Sequence, residues 1–508
     1  MFKYLYILFF SFSFSFNVFA VKDIVIEFEI DNKNLSENKI DNIFDFVDMN
    51  NKIIFSISHL FSWQTTRSSN PYGIIFSIHP EFLNIITKDC FLYNNPFEDS
   101  TGTGLMVQDG RLYAYPLSTK KNVFLSQYDI DTNRFFNLDE IQFSPYYTFS
   151  NDTTLTQNRK TIQFTDFPDL KEGSPGIIGK YLLSGDYVCL NVVVNPESDP
   201  DGIGFSALKI YKFNVARNKW KFLFASRLQD KDDFLYCISC QFNKFILCTS
   251  HGWIYKASEN GIKCIGTNYD RISNQLYCAL KLDGEMLYGH YPSGHIHKII
   301  DDKQIDTMEP PILNPVSENE RELMVMVRYG GSIYVGIWPW GEVYKKDINT
   351  LDWTPEMRCF TYPAFNKLEA PYANIIKRHE WKFEYNEFGQ RVYHMVPFDE
   401  YMFISTSGKS GNFRDLWNQA EGSGNIDLNE YGRIHSIKIN GQYAFYVNKR
   451  DGVIKIKIEI LNSLNKINFY VDDIIIKTLK NCSIKIPVRY SYKMFDHINT
   501  ISVNYSEH

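Results

Sequence analysis

The sequence has little excess charge, few cysteines and no long apolar segment after its first twenty residues. Lys and Arg total 53 and Asp and Glu total 59, so the net charge is -6, which gives no electrostatic basis for a nucleic-acid partner. Nine scattered cysteines do not form the dense framework of a small disulfide-stapled domain. A membrane-spanning helix needs about 20 apolar residues, so we expect no transmembrane segment in the mature chain.

Familiar catalytic motifs are also absent. The sequence contains no nucleophile elbow, no phosphate-binding glycine loop and no zinc-binding helix motif. An enzyme can assemble its active site from distant segments, so the absence of these motifs is only weak evidence against catalysis. Whether the chain is an enzyme stays open. It does make binding the first expectation.

The first twenty residues predict a secretory signal peptide. Lys3 precedes an apolar run from about residue 4 to 16, and small residues lead to a cleavage position after Ala20. A retained membrane anchor is the alternative, but the run is short and rich in serine. We therefore expect a secreted or extracytoplasmic protein with a signal peptide at 1–20, a main domain at 21–448 and a C-terminal module at 449–508.

An internal repeat is the most informative feature of the chain. The segments GWIYK (252–256), GHIHK (294–298) and GEVYK (341–345) recur at intervals of 42 and 47 residues. Each follows an apolar run and a short turn, and a further run lies before that across a polar turn such as Asp283-Gly284. Four antiparallel strands at a period in the forties predict the blade of a β-propeller. An aromatic share of 16% favours the same all-β class.

Weaker copies of the unit extend the repeat to seven blades, although six or eight stay open. The predicted hairpin turns lie near Asn51, Gly110, Gly185, Asn243, Gly284, Gly331 and Asp399. Residues 43–60, followed by YGIIFSIHP (72–80), form the first three strands of the first predicted blade. Asn440-Gly441 is interpreted as the turn between the third and fourth strands of the last one.

The stretch IYVGIWPWGEVYKKDINTLDW (333–353) resembles a kelch-like blade, with an apolar second strand that leads to Val-Tyr and then to a tryptophan. Tyr211 with Trp220 repeats the spacing of Tyr344 with Trp353. The glycine doublet of true kelch repeats is absent, so the resemblance implies a propeller and implies no function.

Two further segments complete the predicted architecture. DIVIEFEI (23–30) alternates cleanly and is expected to close the ring by joining the last blade. Four alternating runs between about 449 and 508 predict a small C-terminal β module, and INFYVDDIII (467–476) resembles strands of immunoglobulin-like modules.

Three histidines within eight positions raise the question of a metal site. His295 and His297 share a strand face, as a metal-binding pair requires, and they are weak metal candidates. However, all three occupy repeat positions that elsewhere hold other side chains: His297 replaces a tyrosine, and His290 aligns with Ile337. Packing between blades is the favoured interpretation, and no cofactor is expected.

The loops between second and third strands are predicted to gather on one rim of the central channel, where propellers commonly bind ligands. Tryptophans there either offer flat rings to a sugar or partner or pack on neighbouring blades. The candidate ligand-binding residues are Trp63, His251, Tyr291, Trp338, Trp340, Arg414 and Trp417. The acidic loop with Asp199 and Asp201 is a weak calcium candidate, and a solvated turn is favoured.

Three functions remain open. The first is a secreted, monomeric binding module for a glycan or protein partner. The second is a carbohydrate-active enzyme, hydrolase or lyase, with rim carboxylates as acid and base; the weak candidates are Asp232, Asp270 and Glu318. The third is a structural component of a surface assembly.

Overall fold

β-strands account for nearly all regular structure among the described residues of this computed structural model. The only helical elements described are two 3-10 turns, Leu428–Glu430 and Asn462–Leu464, and no described helix is long and apolar enough to cross a membrane. The structure describes residues 23–31, 44–47, 53–58, 73–78, 83, 87–97, 100, 102–108, 110–117, 125–138, 148–151, 154–157, 160–163, 177–184, 187–194, 204–214, 219–230, 233, 235–241, 244–249, 251–258, 261–267, 275–282, 285–291, 294–300, 304–308, 322–338, 340–347, 352–361, 389–408, 427–446, 453–482 and 501–506. The predicted signal peptide lies outside these residues.

Five strands come first in the chain. They are β1 (Asp23–Asp31), β2 (Phe44–Val47), β3 (Ile53–Ser58), β4 (Gly73–Ile78) and β5 (Lys88–Tyr93). Sheet 1 follows, with β6 (Thr103–Gln108), β7 (Arg111–Pro116), β8 (Ser126–Asp129) and β9 (Arg134–Asn137). A three-stranded sheet then contains β10 (Thr148–Asn151), β11 (Thr154–Gln157) and β12 (Lys160–Gln163).

Four-stranded antiparallel sheets occupy the middle of the chain. Sheet 2 contains β13 (Ile177–Ser184), β14 (Tyr187–Val194), β15 (Phe205–Asn214) and β16 (Lys219–Arg227). Sheet 3 contains β17 (Leu235–Gln241), β18 (Lys244–Thr249), β19 (Trp253–Ser258) and β20 (Gly261–Thr267). Sheet 4 contains β21 (Gln275–Leu282), β22 (Glu285–Tyr291), β23 (Ile296–Ile300) and β24 (Gln304–Met308).

The series continues with two more sheets of this kind. Sheet 5 contains β25 (Glu322–Tyr329), β26 (Ser332–Trp338), β27 (Glu342–Asp347) and β28 (Trp353–Arg358). Sheet 6 contains β29 (Arg391–Phe398), β30 (Tyr401–Ser407) and β31 (Ile434–Ile439), with β5 as its fourth strand. The last strands are β32 (Tyr443–Tyr446), β33 (Val453–Leu461), β34 (Lys466–Val471), β35 (Ile474–Lys480) and β36 (Ile501–Ser506).

Consecutive sheets pack face to face around a central axis. The first strand of each of sheets 2 to 6 contacts the first strand of the next, and β29 of sheet 6 contacts β6 of sheet 1. The apolar core is correspondingly divided into clusters that lie between neighbouring sheets. This arrangement confirms the predicted all-β propeller. The three-stranded sheet contacts sheet 2 through β12 and β16, and the number of blades stays a prediction.

A glycine recurs before the third strand of several sheets because the backbone there has a positive φ. Gly252, Gly294 and Gly341 have φ values of +83°, +70° and +61°, in a region that side-chain-bearing residues rarely adopt. Each lies just before the third strand of its sheet. A glycine is therefore needed wherever this turn is repeated.

A β-bulge near the start of the first strand of a sheet is a second feature that recurs from sheet to sheet. The register between the first two strands shifts by one residue at Tyr277 in sheet 4, Met324 in sheet 5 and Tyr393 in sheet 6, and equivalent shifts occur in sheets 2 and 3. A bulge re-aims the extra residue and increases local twist. The first strands of sheets 2 to 6 thus share one distortion close to where they begin.

Closure of the ring differs from the prediction. β5, not β1, completes sheet 6, where it pairs with β31 from Ile439↔Lys88 to Ile434↔Tyr93. β1 instead lies between β33 and β36 in a five-stranded sheet of order β35-β34-β33-β1-β36. Alternation identified β1 as a strand, but its partner is β33, where the buried Ile26 lies opposite the buried Ile458.

The first predicted blade is right in its first three strands but wrong in its place. β2, β3 and β4 pair in order as predicted, but their fourth strand is β32, and β6 contacts β29 and β30 directly. Consequently Asn440-Gly441 does not join two strands of one blade, because β31 and β32 belong to different sheets. This sheet packs on the five-stranded one, where Phe469 contacts Phe76 and Tyr443 at centroid distances of 5.0 and 4.7 Å.

An ion-pair cluster fastens the five-stranded sheet to the propeller. Lys477 Nζ on β35 donates to Asp399 Oδ1 and Oδ2 at 2.7 and 3.0 Å and lies 2.9 Å from Glu400 Oε1. Burial acts to raise the pKa of Glu400, but the ammonium groups of Lys477 and Lys438 hold it below its ordinary value. Both carboxylates belong to the β29–β30 turn, so this turn is the docking point.

We expect Gly336→Ala to destabilise the protein, because a Cβ there would lie 2.5 Å from Val392 Cγ1 and 2.8 Å from Val325 Cγ1. Overpacking of this kind costs about 1 to 3 kcal/mol. Gly266→Ala is the control, since nothing lies within 4 Å of its Cβ position, and it should change stability by less than about 0.5 kcal/mol. Urea denaturation measures both, and equal stability of the two variants would contradict the close approach of sheets 5 and 6.

Lys477→Met should cost about 1 to 3 kcal/mol, because it leaves the buried Asp399 carboxylate without this ammonium partner. Lys455→Met on the same sheet is the control. Lys455 is 60% exposed and lies 4.0 Å from Glu29, so its loss should cost little. Thermal and urea unfolding compare the variants, and a similar small effect of both would show that the docking point does not carry stability.

Candidate functional site at the propeller rim

Two kinds of loop meet at one end of sheet 3. The loop from β16 to β17 carries Asp230 and Asp233, and the loop from β18 to β19 carries His251. The backbone N–H of His251 donates to Asp233 Oδ1 at 2.9 Å. Loops between blades and loops within a blade therefore share this rim.

Four side chains form what we call the rim cluster: Asp230, Asp233, His251 and Trp253. The indole Nε1–H of Trp253 donates to Asp230 Oδ2 at 2.6 Å, and His251 Nδ1 lies 3.3 Å from the same oxygen. The side chains of His251 and Asp230 are 45% and 47% exposed, whereas Asp233 is buried. The cluster thus presents an anchored carboxylate and an imidazole to solvent.

The local hydrogen bonds decide the charge of Asp230. The bond from Trp253 lowers the pKa of its carboxyl group, burial opposes this, and His251 lowers it further. The carboxylate is therefore ionised at neutral pH and orients the imidazole beside it. Such a pair is able to accept and donate hydrogen bonds to a polar ligand, or to transfer a proton.

The rim cluster also brings three potential cation ligands near one another. Ligand atoms of Asp230, Asp233 and His251 all lie within 4.8 Å of one another, the only such group among the residues the structure describes. Carboxylate oxygens and imidazole nitrogen are common ligands of divalent ions. The predicted calcium candidates, Asp199 and Asp201, lie outside the described residues.

A second polar cluster joins three innermost strands close to where each begins. The hydroxyl of Tyr277 on β21 donates to Glu322 Oε1 on β25 at 3.1 Å, and Arg391 Nη2 on β29 donates to Glu322 Oε2 at 3.4 Å. Glu322 is buried. Its hydrogen bonds link sheets 4, 5 and 6, so we interpret this cluster as a structural brace rather than a ligand site.

The predicted aromatic platform is not formed by Trp338 and Trp340. They are 1% and 3% exposed and belong to the apolar cluster between sheets 5 and 6. Tyr291 is partly buried and packs against the same cluster, 6.4 Å from Trp338 between centroids. Among the predicted ligand residues, the structure exposes His251. Trp63, Arg414, Trp417, Asp232, Asp270 and Glu318 lie outside the described residues.

The three clustered histidines converge across one hairpin. The rings of His290 and His297 lie 4.4 Å apart and those of His295 and His297 lie 6.3 Å apart between centroids. Burial lowers the pKa of His290 to about 3, with smaller contributions from His297 and His295, and lowers that of His297 to about 4, with a contribution from His295. His290 and His297 are therefore neutral at physiological pH.

Sequence reasoning did not single out Asp230, Asp233 and Trp253. The segment RLQDKDD (227–233) was recognisable as a polar stretch before an innermost strand. However, three acidic residues lie in it, and the sequence does not show which of them reach His251. Only the backbone path of the loop selects Asp230 and Asp233.

No protein-family model matches the chain, and no curated protein sequence matches it. Solved structures similar to it are β-propeller-type proteins. Virginiamycin B lyase from Staphylococcus aureus has a TM-score of 0.38 and 12% identity, covering 69% of this chain and 99% of that chain. YCF48 bound to D1 peptide has a TM-score of 0.36 and 10% identity, covering 71% and 97%. BamB from Moraxella catarrhalis has a TM-score of 0.27 and 9% identity, covering 57% and 80%. These similarities carry no argument about function.

Glu322→Gln should destabilise the protein by about 1 to 3 kcal/mol, because it removes the charge that faces the partly buried Arg391 guanidinium. Since the two side chains interact, Glu322→Gln combined with Arg391→Met should cost less than the sum of the single changes. A double-mutant cycle in urea measures this coupling. Additive effects would show that the brace does not act as a unit.

Proposed function

We propose that this chain is a β-propeller binding module whose ligand contacts the rim cluster. The observation that supports it is the solvent-exposed His251 imidazole held beside the Asp230 carboxylate, itself anchored by Trp253. A site of this kind is ordered before the ligand arrives, so little conformational freedom is lost on binding.

A glycan is the ligand class that these groups favour. Sugar hydroxyls both donate and accept hydrogen bonds, which suits a carboxylate next to an imidazole, and the indole of Trp253 is hydrogen-bonded to that carboxylate. A protein partner would need a much wider contact area, about 800 Å² on each side. It remains the alternative that the experiment below distinguishes.

A carbohydrate-active enzyme is the second candidate. The contact of 3.3 Å between His251 Nδ1 and Asp230 Oδ2 favours it, because a carboxylate that orients an imidazole is a common arrangement for general acid–base catalysis. In that case the rim would convert the glycan rather than only hold it.

The remaining sequence predictions belong to the same proposal. We infer a secreted protein, cleaved after Ala20, that acts as a monomer without a nucleic-acid partner. We also infer seven kelch-like blades and an immunoglobulin-like character for the C-terminal strands.

The mature chain, from Val21 onward, should bind members of a glycan array. His251→Ala and Asp230→Asn should each weaken binding about tenfold, equivalent to one lost polar contact of about 1.4 kcal/mol. The control is Lys263→Ala, an exposed side chain on β20 of the same sheet, which should bind as the wild type does.

Other outcomes separate the alternatives. An empty array with a saturable protein partner in a pull-down that His251→Ala weakens would replace the glycan by a protein. Shortened or unsaturated glycan products would favour the enzyme. Empty results in all three assays, or full binding by both rim variants, would reject the rim as the site.

A further inference from the structure

The turn between β22 and β23 folds back so tightly that it gathers the three histidines. The backbone N–H of His290 donates to the carbonyl of His295 at 2.9 Å, and that of Gly294 donates to the carbonyl of His290 at 3.1 Å. With these bonds in place, His290 near the end of β22 lies opposite His295, which directly precedes β23, and close to His297 on β23. Sequence spacing suggested only the pair of His295 and His297.

His297 is buried with unused hydrogen-bonding capacity. It is 5% exposed, and neither ring nitrogen has a hydrogen-bond partner among the described residues. A buried polar atom without a hydrogen-bond partner destabilises the folded state, and a ligand that contacts these nitrogens would remove that penalty. His290 is buried against it.

We propose that His290, His295 and His297 form a binding site for one transition-metal ion of the Zn²⁺ or Cu²⁺ type. This inference does not depend on the proposed function of the rim cluster.

The ring separations are close to those that such an ion requires. A zinc–imidazole bond is about 2.1 Å long, so the centroids of two imidazoles that share one tetrahedral ion lie roughly 5 Å apart. The observed separations of 4.4 Å and 6.3 Å lie below and above this distance. Ligation requires the imidazoles to turn about Cβ–Cγ, a torsion with broad minima.

The donor set decides the class of ion. Three imidazoles suit zinc and copper, whereas calcium and magnesium prefer oxygen ligands. His295 is only partly buried, so it gives an ion access from solvent to the buried pair. A fourth ligand would then come from water on the exposed side.

The test uses the mature chain after treatment with a chelator and desalting. Isothermal titration with ZnCl₂, and metal analysis after gel filtration, should give one ion per chain. His290→Phe and His297→Phe keep an aromatic ring in the core but remove the nitrogens, and each should weaken Zn²⁺ binding at least tenfold. His251→Phe, a histidine of the rim cluster, is the matched control and should retain this ion.

A second measurement needs no variant. With one equivalent of Cu²⁺, the electron paramagnetic resonance spectrum of the wild-type protein should show hyperfine coupling to two or more imidazole nitrogens. The proposal is overturned if no Zn²⁺ binds, if His297→Phe binds as tightly as the wild type, or if His251→Phe abolishes binding. The last result would assign the ion to the rim cluster.

Discussion

The fold depends on how closely the first strand of one sheet packs against the second strand of the sheet before it. Gly289 and Gly336 permit this approach, because a Cβ at either position would meet the next sheet: Leu323 Cδ2 at 2.5 Å for Gly289, and Val392 Cγ1 at 2.5 Å for Gly336. Native interiors tolerate little extra volume at such contacts. The spacing of the sheets then sets the positions of the loops that connect their strands.

Local signals in the sequence predicted most of the repeat. The glycine before each third strand is required by its positive φ, and all seven predicted hairpin turns, from Asn51 to Asp399, lie between paired strands. Strand partners were less predictable, since alternation shows that β1 is a strand but not which free edge it joins. β1, β5 and β32 each pair with segments hundreds of residues away, and no short-range pattern encodes that choice.

The sequence likewise predicted only part of the candidate site: the position of its loops, but not which side chains are exposed. The position of His251 on a rim loop follows from the repeat, and the structure exposes its side chain. Burial of Trp338 and Trp340 does not follow, because the repeat places them beside a turn without showing that sheet 6 covers them. The sequence also did not show which rim carboxylates reach His251, since only the path of one loop distinguishes Asp230 and Asp233 from their neighbours.

The rim cluster and the three histidines lie at the same end of the neighbouring sheets 3 and 4. The two groups differ in solvent exposure, and this difference argues for different roles. In sheet 3, Asp230 and His251 are nearly half exposed and already hydrogen-bonded to each other, as suits a ligand that binds and leaves. In sheet 4, His290 and His297 are buried and neutral. Because the buried nitrogens of His297 are costly to leave without a partner, that hairpin suits an ion that stays bound. The rim would then combine an exchangeable site with a fixed one on adjacent blades.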